Sequence, residues 1–61
     1  MEGRDLYQQY RRKHPNATDP MMYVEKFGLE GIYRQVAKAL KENKVIEHVI
    51  DGGDKVDVKY V

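Results

Sequence analysis

Apolar positions recur along this chain at two different periods, and the change of period divides it. Near the N-terminus Leu6 and Tyr10 stand four apart with Tyr7 beside them, while Gln8, Gln9, Arg11 and Arg12 fall mostly elsewhere. That stripe predicts a leading helix over residues 1–14. Arg11, Arg12 and Lys13 lie in its last turn, where cations complement the helix dipole. Pro15 ends it, because the residue before a proline is pushed out of the α region.

His14 to Pro20 (HPNATDP) is a turn-rich connector. Asp19 followed by Pro20 predicts a helix start, with Asp as N-cap and Pro at the first helical position. A helix is expected from Pro20 to about Phe27, and a longer one over about 29–43. The longer helix carries Leu29, Ile32, Tyr33, Val36, Ala37 and Leu40 at helical spacing. Were residues 20–43 one rod, Val24 and Phe27 would lie on the far side of that stripe, at 100° per residue. A break at Gly28 turns both faces inward, and glycine tolerates the positive φ that such a break needs. Asn43 is placed to end the helix.

From residue 45 the period becomes two. Residues 45–50 (VIEHVI) and 55–61 (KVDVKYV) are β-rich, and Asp51-Gly52-Gly53-Asp54 separates them. This predicts a hairpin. A two-residue Gly-Gly loop would put Glu47 on the face of Val56, Val58 and Tyr60. An odd loop, Gly52 to Asp54, instead groups Ile46, His48 and Ile50 with those three and sets Glu47 opposite Lys59. The second register is preferred because it keeps Glu47 off the apolar face and gives it a partner.

The chain is therefore read as one α+β domain over residues 1–61: three helices, then a C-terminal hairpin. Sixty-one residues allow no second domain, and a chain this short buries only ~60% of its unfolded surface. With no cysteine it has no disulfide, and His14 and His48 alone cannot close a zinc site. Leu6, Tyr7, Tyr10, Val24, Phe27, Leu29, Ile32, Tyr33, Val36, Leu40, Ile46 and Tyr60 are all needed for one core. Few apolar residues remain to line a catalytic pocket, so neither an enzyme nor a cofactor is expected. No apolar run approaches a membrane span, and no leader resembles a signal peptide, so a cytosolic location is expected. In that setting Asn16-Ala17-Thr18 has no meaning as a glycosylation sequon. The Asp51–Asp54 loop is too short for an EF-hand, and no Walker or dinucleotide glycine pattern occurs.

The element order over residues 20–61 resembles the core of a winged helix-turn-helix domain. Phe27-Gly28-Leu29 sits where the turn of that family sits, Gly31 to Lys41 at its recognition helix, Val45 to Ile50 at the strand, Asp51 to Asp54 at the wing tip, and Val56 to Val61 at the returning strand. The resemblance implies a DNA-binding regulatory or accessory protein that works through its third helix. On that helix Arg34 and Gln35 could address base edges while Lys38 and Lys41 neutralise phosphate. Arg11, Arg12, Lys13 and His14 form a second cationic cluster that could flank the backbone.

Charge qualifies this picture. The net charge is +1, and the hairpin sets Glu47, Asp51, Asp54 and Asp57 against Lys55 and Lys59, whereas a wing along phosphates is usually basic. Glu30 and Glu42 can pair with Arg34 and Lys38, so the mixed face also reads as a solvated one. An acidic hairpin suits the alternative, a protein-interaction module or small inhibitor that uses its hairpin edge or the Met21–Tyr23 region. A homodimer would support a thin core and double any DNA contacts, and the open edges of a two-stranded sheet or the first helix could form it. His48 is expected to pack with a hydrogen bond rather than act as a base. One of Met21 and Met22 is expected in the core. Tyr7, Tyr10, Tyr33 and Tyr60 are read as core residues with hydroxyls at the rim, and Tyr23 has no assigned place.

Overall fold

A computed structural model describes residues 2–53 and 55–61, with Glu2 described by its backbone alone. Helix α1 spans Glu2–Lys13 and α2 spans Val24–Glu42, with a 3-10 turn at Pro20–Tyr23 leading into α2. Strands β1 (Ile46–Ile50) and β2 (Val56–Tyr60) pair antiparallel as a two-stranded sheet. Met1, taken as the start of the leading helix, and Asp54, taken as the end of the hairpin loop, lie outside the described residues.

The class is α+β, but the three-helix layout is corrected: the described residues hold two α-helices. Asp19 does cap at its expected place, its Oδ1 accepting from the Met21 N–H at 3.0 Å. The residues after it, however, wind as a single 3-10 turn. α2 then begins at Val24 and runs to Glu42 with one non-helical residue, Gly28, at φ 75° and ψ 163°. The expected break at Gly28 is thus present, as a one-residue kink across which two helical segments run on into each other. A helix-turn-helix needs a turn of three or four residues between two helices, and a single glycine does not supply it. The helix-turn-helix of residues 20–43, and the winged-helix layout built on it, are set aside.

α1 and α2 run in the same direction. Gly3 lies against the Tyr33 ring so closely that a Cβ there would sit 2.5 Å from a ring carbon, and ten residues on Lys13 reaches the Asn43 side chain. Parallel helices need a long return, and the connector provides it by running back along α1. The Arg11 guanidinium donates to the Ala17 carbonyl at 3.2 Å, and the Tyr7 hydroxyl donates to Asp19 Oδ1 at 2.7 Å. Two prolines suit this segment because each favours extended backbone before it. Burial acts to raise the Asp19 carboxyl, but the bonds from Tyr7 and the Met21 N–H, with the Arg11 charge, outweigh it and hold the group below its ordinary value. Burial and the same carboxylate push the Tyr7 hydroxyl up to about 12.

Tyr10, Ile32, Val36, Ala39 and Ile46 are the buried centre, with Leu6, Tyr7, Met21, Tyr23, Val24, Phe27, Leu40, Val45, Val58 and Tyr60 packed around it. Met21 joins this core while Met22 is exposed. Leu29, expected inside, is half exposed just past the kink. Asn43 ends α2 in the left-handed conformation, and the Lys44 N–H reaches back to the Ala39 carbonyl at 2.8 Å. No helix of the described residues is long and apolar enough to cross a membrane.

Candidate functional site

The hairpin adopts the odd-loop register: Ile46 faces Tyr60, Glu47 faces Lys59, His48 faces Val58, Val49 faces Asp57 and Ile50 faces Val56. The ladder closes at both ends. Val45 and Val61 exchange both backbone bonds, at 2.8 and 2.9 Å, and the Asp51 N–H donates to the Lys55 carbonyl at 3.0 Å. Bonded pairs alternate with non-bonded pairs along an antiparallel ladder. Residues 45, 47, 49 and 51 therefore turn their backbone groups toward β2, and residues 46, 48 and 50 turn theirs outward. On β2 the outward residues are Val56, Val58 and Tyr60.

The two edges differ. On β1 the outward Ile46 N–H donates to the hydroxyl of Tyr10 at 2.9 Å, so α1 occupies that end of the edge. Only His48 and Ile50 remain there for an added strand. On β2, among the described residues, no group bonds the outward N–H and C=O of Val56, Val58 or Tyr60. An unprotected edge of this kind is a template for another strand.

The sheet is clamped to the helices through His48. Tyr23 stacks on its ring at 4.2 Å between centroids, Phe27 tilts against it at 5.6 Å, and Gln35 Oε1 lies 2.9 Å from Nε2. Tyr23, unplaced by sequence, belongs here. Burial lowers the pKa of His48 below its ordinary 6.5, so the unfolded chain takes up the proton first. Stability is then complete above about 6.5 and falls as pH drops from there toward the lower folded-state value. Thermal melts between pH 7.5 and 5.5 are expected to show this decline, and His48→Phe is expected to flatten it. An unchanged slope in that variant would assign the effect to another group.

The residues proposed to meet nucleic acid are dispersed. Gln35 is only 8% exposed, and its amide is turned inward to His48. It follows Ile32 by three positions and precedes Ala39 by four, a placement that marks the hairpin-facing side of α2 once the sheet is located. Arg34 and Lys38 are exposed, and Lys41 continues their stripe. Arg34 meets Glu30 at 3.9 Å, with both side chains above 80% exposed, so the pair constrains little. The Lys38 ammonium sits 4.8 Å over the Tyr60 ring. Arg11 is half-buried and engaged with the connector, while Arg12 is exposed. Lys13 bonds Asn43, and His14 lies 5.2 Å from the Tyr10 ring. Thus Arg34, Lys38 and Lys41 form one stripe on α2, and the cluster at 11–14 sits at the end of α1, where its charges face helix C-termini.

An open cleft of about 390 Å³ lies between Lys13, His14, the connector and Val45. Among the described residues no group of three or more His, Asp or Glu side chains is gathered to hold a metal. Comparison of the chain with protein-family models, curated proteins and solved structures gave no match.

Proposed function

We propose that this chain is a small protein-interaction module that works by accepting a strand at the free edge of its hairpin. The observation that carries this reading is the unpaired outward backbone of Val56, Val58 and Tyr60 on a sheet whose opposite edge is obstructed by Tyr10. Backbone groups on an added strand supply affinity, and the side chains beside them supply selectivity. Val58 and Tyr60 of this strand pack against the core. His48, wedged between Tyr23, Phe27 and Gln35, keeps the sheet from sliding on α2.

A second reading, DNA contact, is favoured by one observation: Arg34, Lys38 and Lys41 are exposed on one stripe of α2. With Gln35 turned inward, that stripe would meet phosphate rather than read bases. A single NMR experiment tests both readings. An extended peptide of alternating valine and threonine is expected to shift and protect the amides of Val56, Val58 and Tyr60. Those amides exchanging freely at millimolar peptide would overturn the interaction reading. A duplex DNA at low salt would shift the surroundings of Arg34, Lys38 and Lys41 if the second reading holds, and added salt would reverse the change.

A further inference from the structure

We infer that the occupant of the β2 edge is the β2 strand of a second copy, antiparallel and centred on Val58. The inference rests on the reading of that edge as a strand-pairing surface. The strand is self-complementary about its middle residue. With Val58 opposite Val58 of the second copy, Val56 faces Tyr60 and Asp57 faces Lys59, each twice by symmetry. The pairs 58–58 and 56–60 bring outward-pointing backbone groups together, so every free N–H and C=O of the edge gains a partner. Asp57 faces Lys59 in the intervening pairs, where side chains stand closest, and both residues are exposed. On the helix-facing side, half-buried Val56 meets half-buried Tyr60 of the other copy, a β-branched residue against an aromatic.

Charge also rejects the neighbouring registers. Sliding the second strand to centre on residue 57 sets Asp57 against Asp57, and sliding it the other way sets Lys59 against Lys59. Each slip loses backbone pairs as well. The pattern V-D-V-K-Y thus selects one alignment with itself, whereas an arbitrary partner strand has no reason to match it. The product is one sheet of four strands from two hairpins of two, with both helical layers on the same side, since the two-fold axis stands normal to the sheet.

Sedimentation equilibrium of the full chain across micromolar to millimolar concentration tests this. The wild type is expected to dimerise, with amide protection at Val56, Val58 and Tyr60 that grows with concentration. Asp57→Lys and Lys59→Asp each place like charges in the pairs and are expected to weaken the dimer by roughly ten-fold or more. An equal mixture of the two variants restores opposite charges at both pairs and is expected to dimerise like the wild type. Circular dichroism of each variant confirms that it is folded. Should Lys59→Asp unfold because it then faces Glu47, the concentration dependence of the wild-type amides decides by itself. A wild type that stays monomeric at millimolar concentration overturns the inference, as does a dimer indifferent to these charges. If the Val-Thr peptide still protects the edge in a monomeric protein, the second copy is excluded while the interaction reading survives.

Discussion

Gly28→Ala is expected to lower the midpoint of thermal unfolding by several degrees although it adds a single exposed methyl group. Gly28 is exposed, and an added Cβ would meet nothing within 4 Å, so packing offers no reason for a loss. The reason is the backbone. A φ of 75° with a ψ of 163° belongs to a region that only glycine occupies readily, and residues forced into it cost about 1–3 kcal/mol. A chain of this length is stable by only ~3–9 kcal/mol, at roughly 0.05–0.15 kcal/mol per residue. Each kcal/mol moves the midpoint of such a domain by roughly 4–8 °C. Because the strain arises at the Cβ and not beyond it, Gly28→Ser should lose about as much as Gly28→Ala. Wild-type stability in Gly28→Ala, measured by thermal and urea unfolding, would show that the kink relaxes at no cost. The kink itself has a purpose in packing. Val24 and Phe27 precede it, Ile32 and Val36 follow it, and all four reach the same core.

Tyr10→Phe is the second large effect. The Tyr10 ring is fully buried, and its hydroxyl takes the Ile46 N–H across thirty-six residues of chain. Phenylalanine fills the same ring volume but leaves that buried N–H without an acceptor, which costs about 1–3 kcal/mol. Tyr33→Phe is the matched control. Its ring packs on Gly3, but among the described residues its hydroxyl bonds to nothing, so little change is expected. Urea unfolding of the two variants should separate them clearly, and the Ile46 amide should exchange faster in Tyr10→Phe alone. Equal losses from both would deny the hydroxyl its role.

What could be read from the sequence was whatever depends on periodicity and on local cap chemistry. The hairpin register followed from keeping Glu47 off an apolar face, and the pairing of Glu47 with Lys59 is observed. The irregularity at Gly28 followed from two apolar stripes that one straight helix cannot align. Its consequence was misjudged, because sequence shows that a helix must bend and not whether the bend is a turn or a kink. The N-cap at Asp19 was legible, but the 3-10 winding after it was not, since cap chemistry is shared by both helix types. Gln35 was placed with the solvent-facing cations because the side of α2 that the sheet would cover was unknown. The same gap hid the stacking of Tyr23 on His48 and the bond from Ile46 to Tyr10. All three depend on how the return along α1 positions α2, and residues 14–19 carry no periodic signal of that path.

The hydroxyl of Tyr10 on the first strand's rim also bears on the valency of the proposed pairing. A sheet with two fully adhesive rims can add neighbours without limit and grows into fibres. Here one rim is obstructed at one end by the molecule's own leading helix, so the pairing proposed above would leave each unit one full attachment site and would stop once that site is filled.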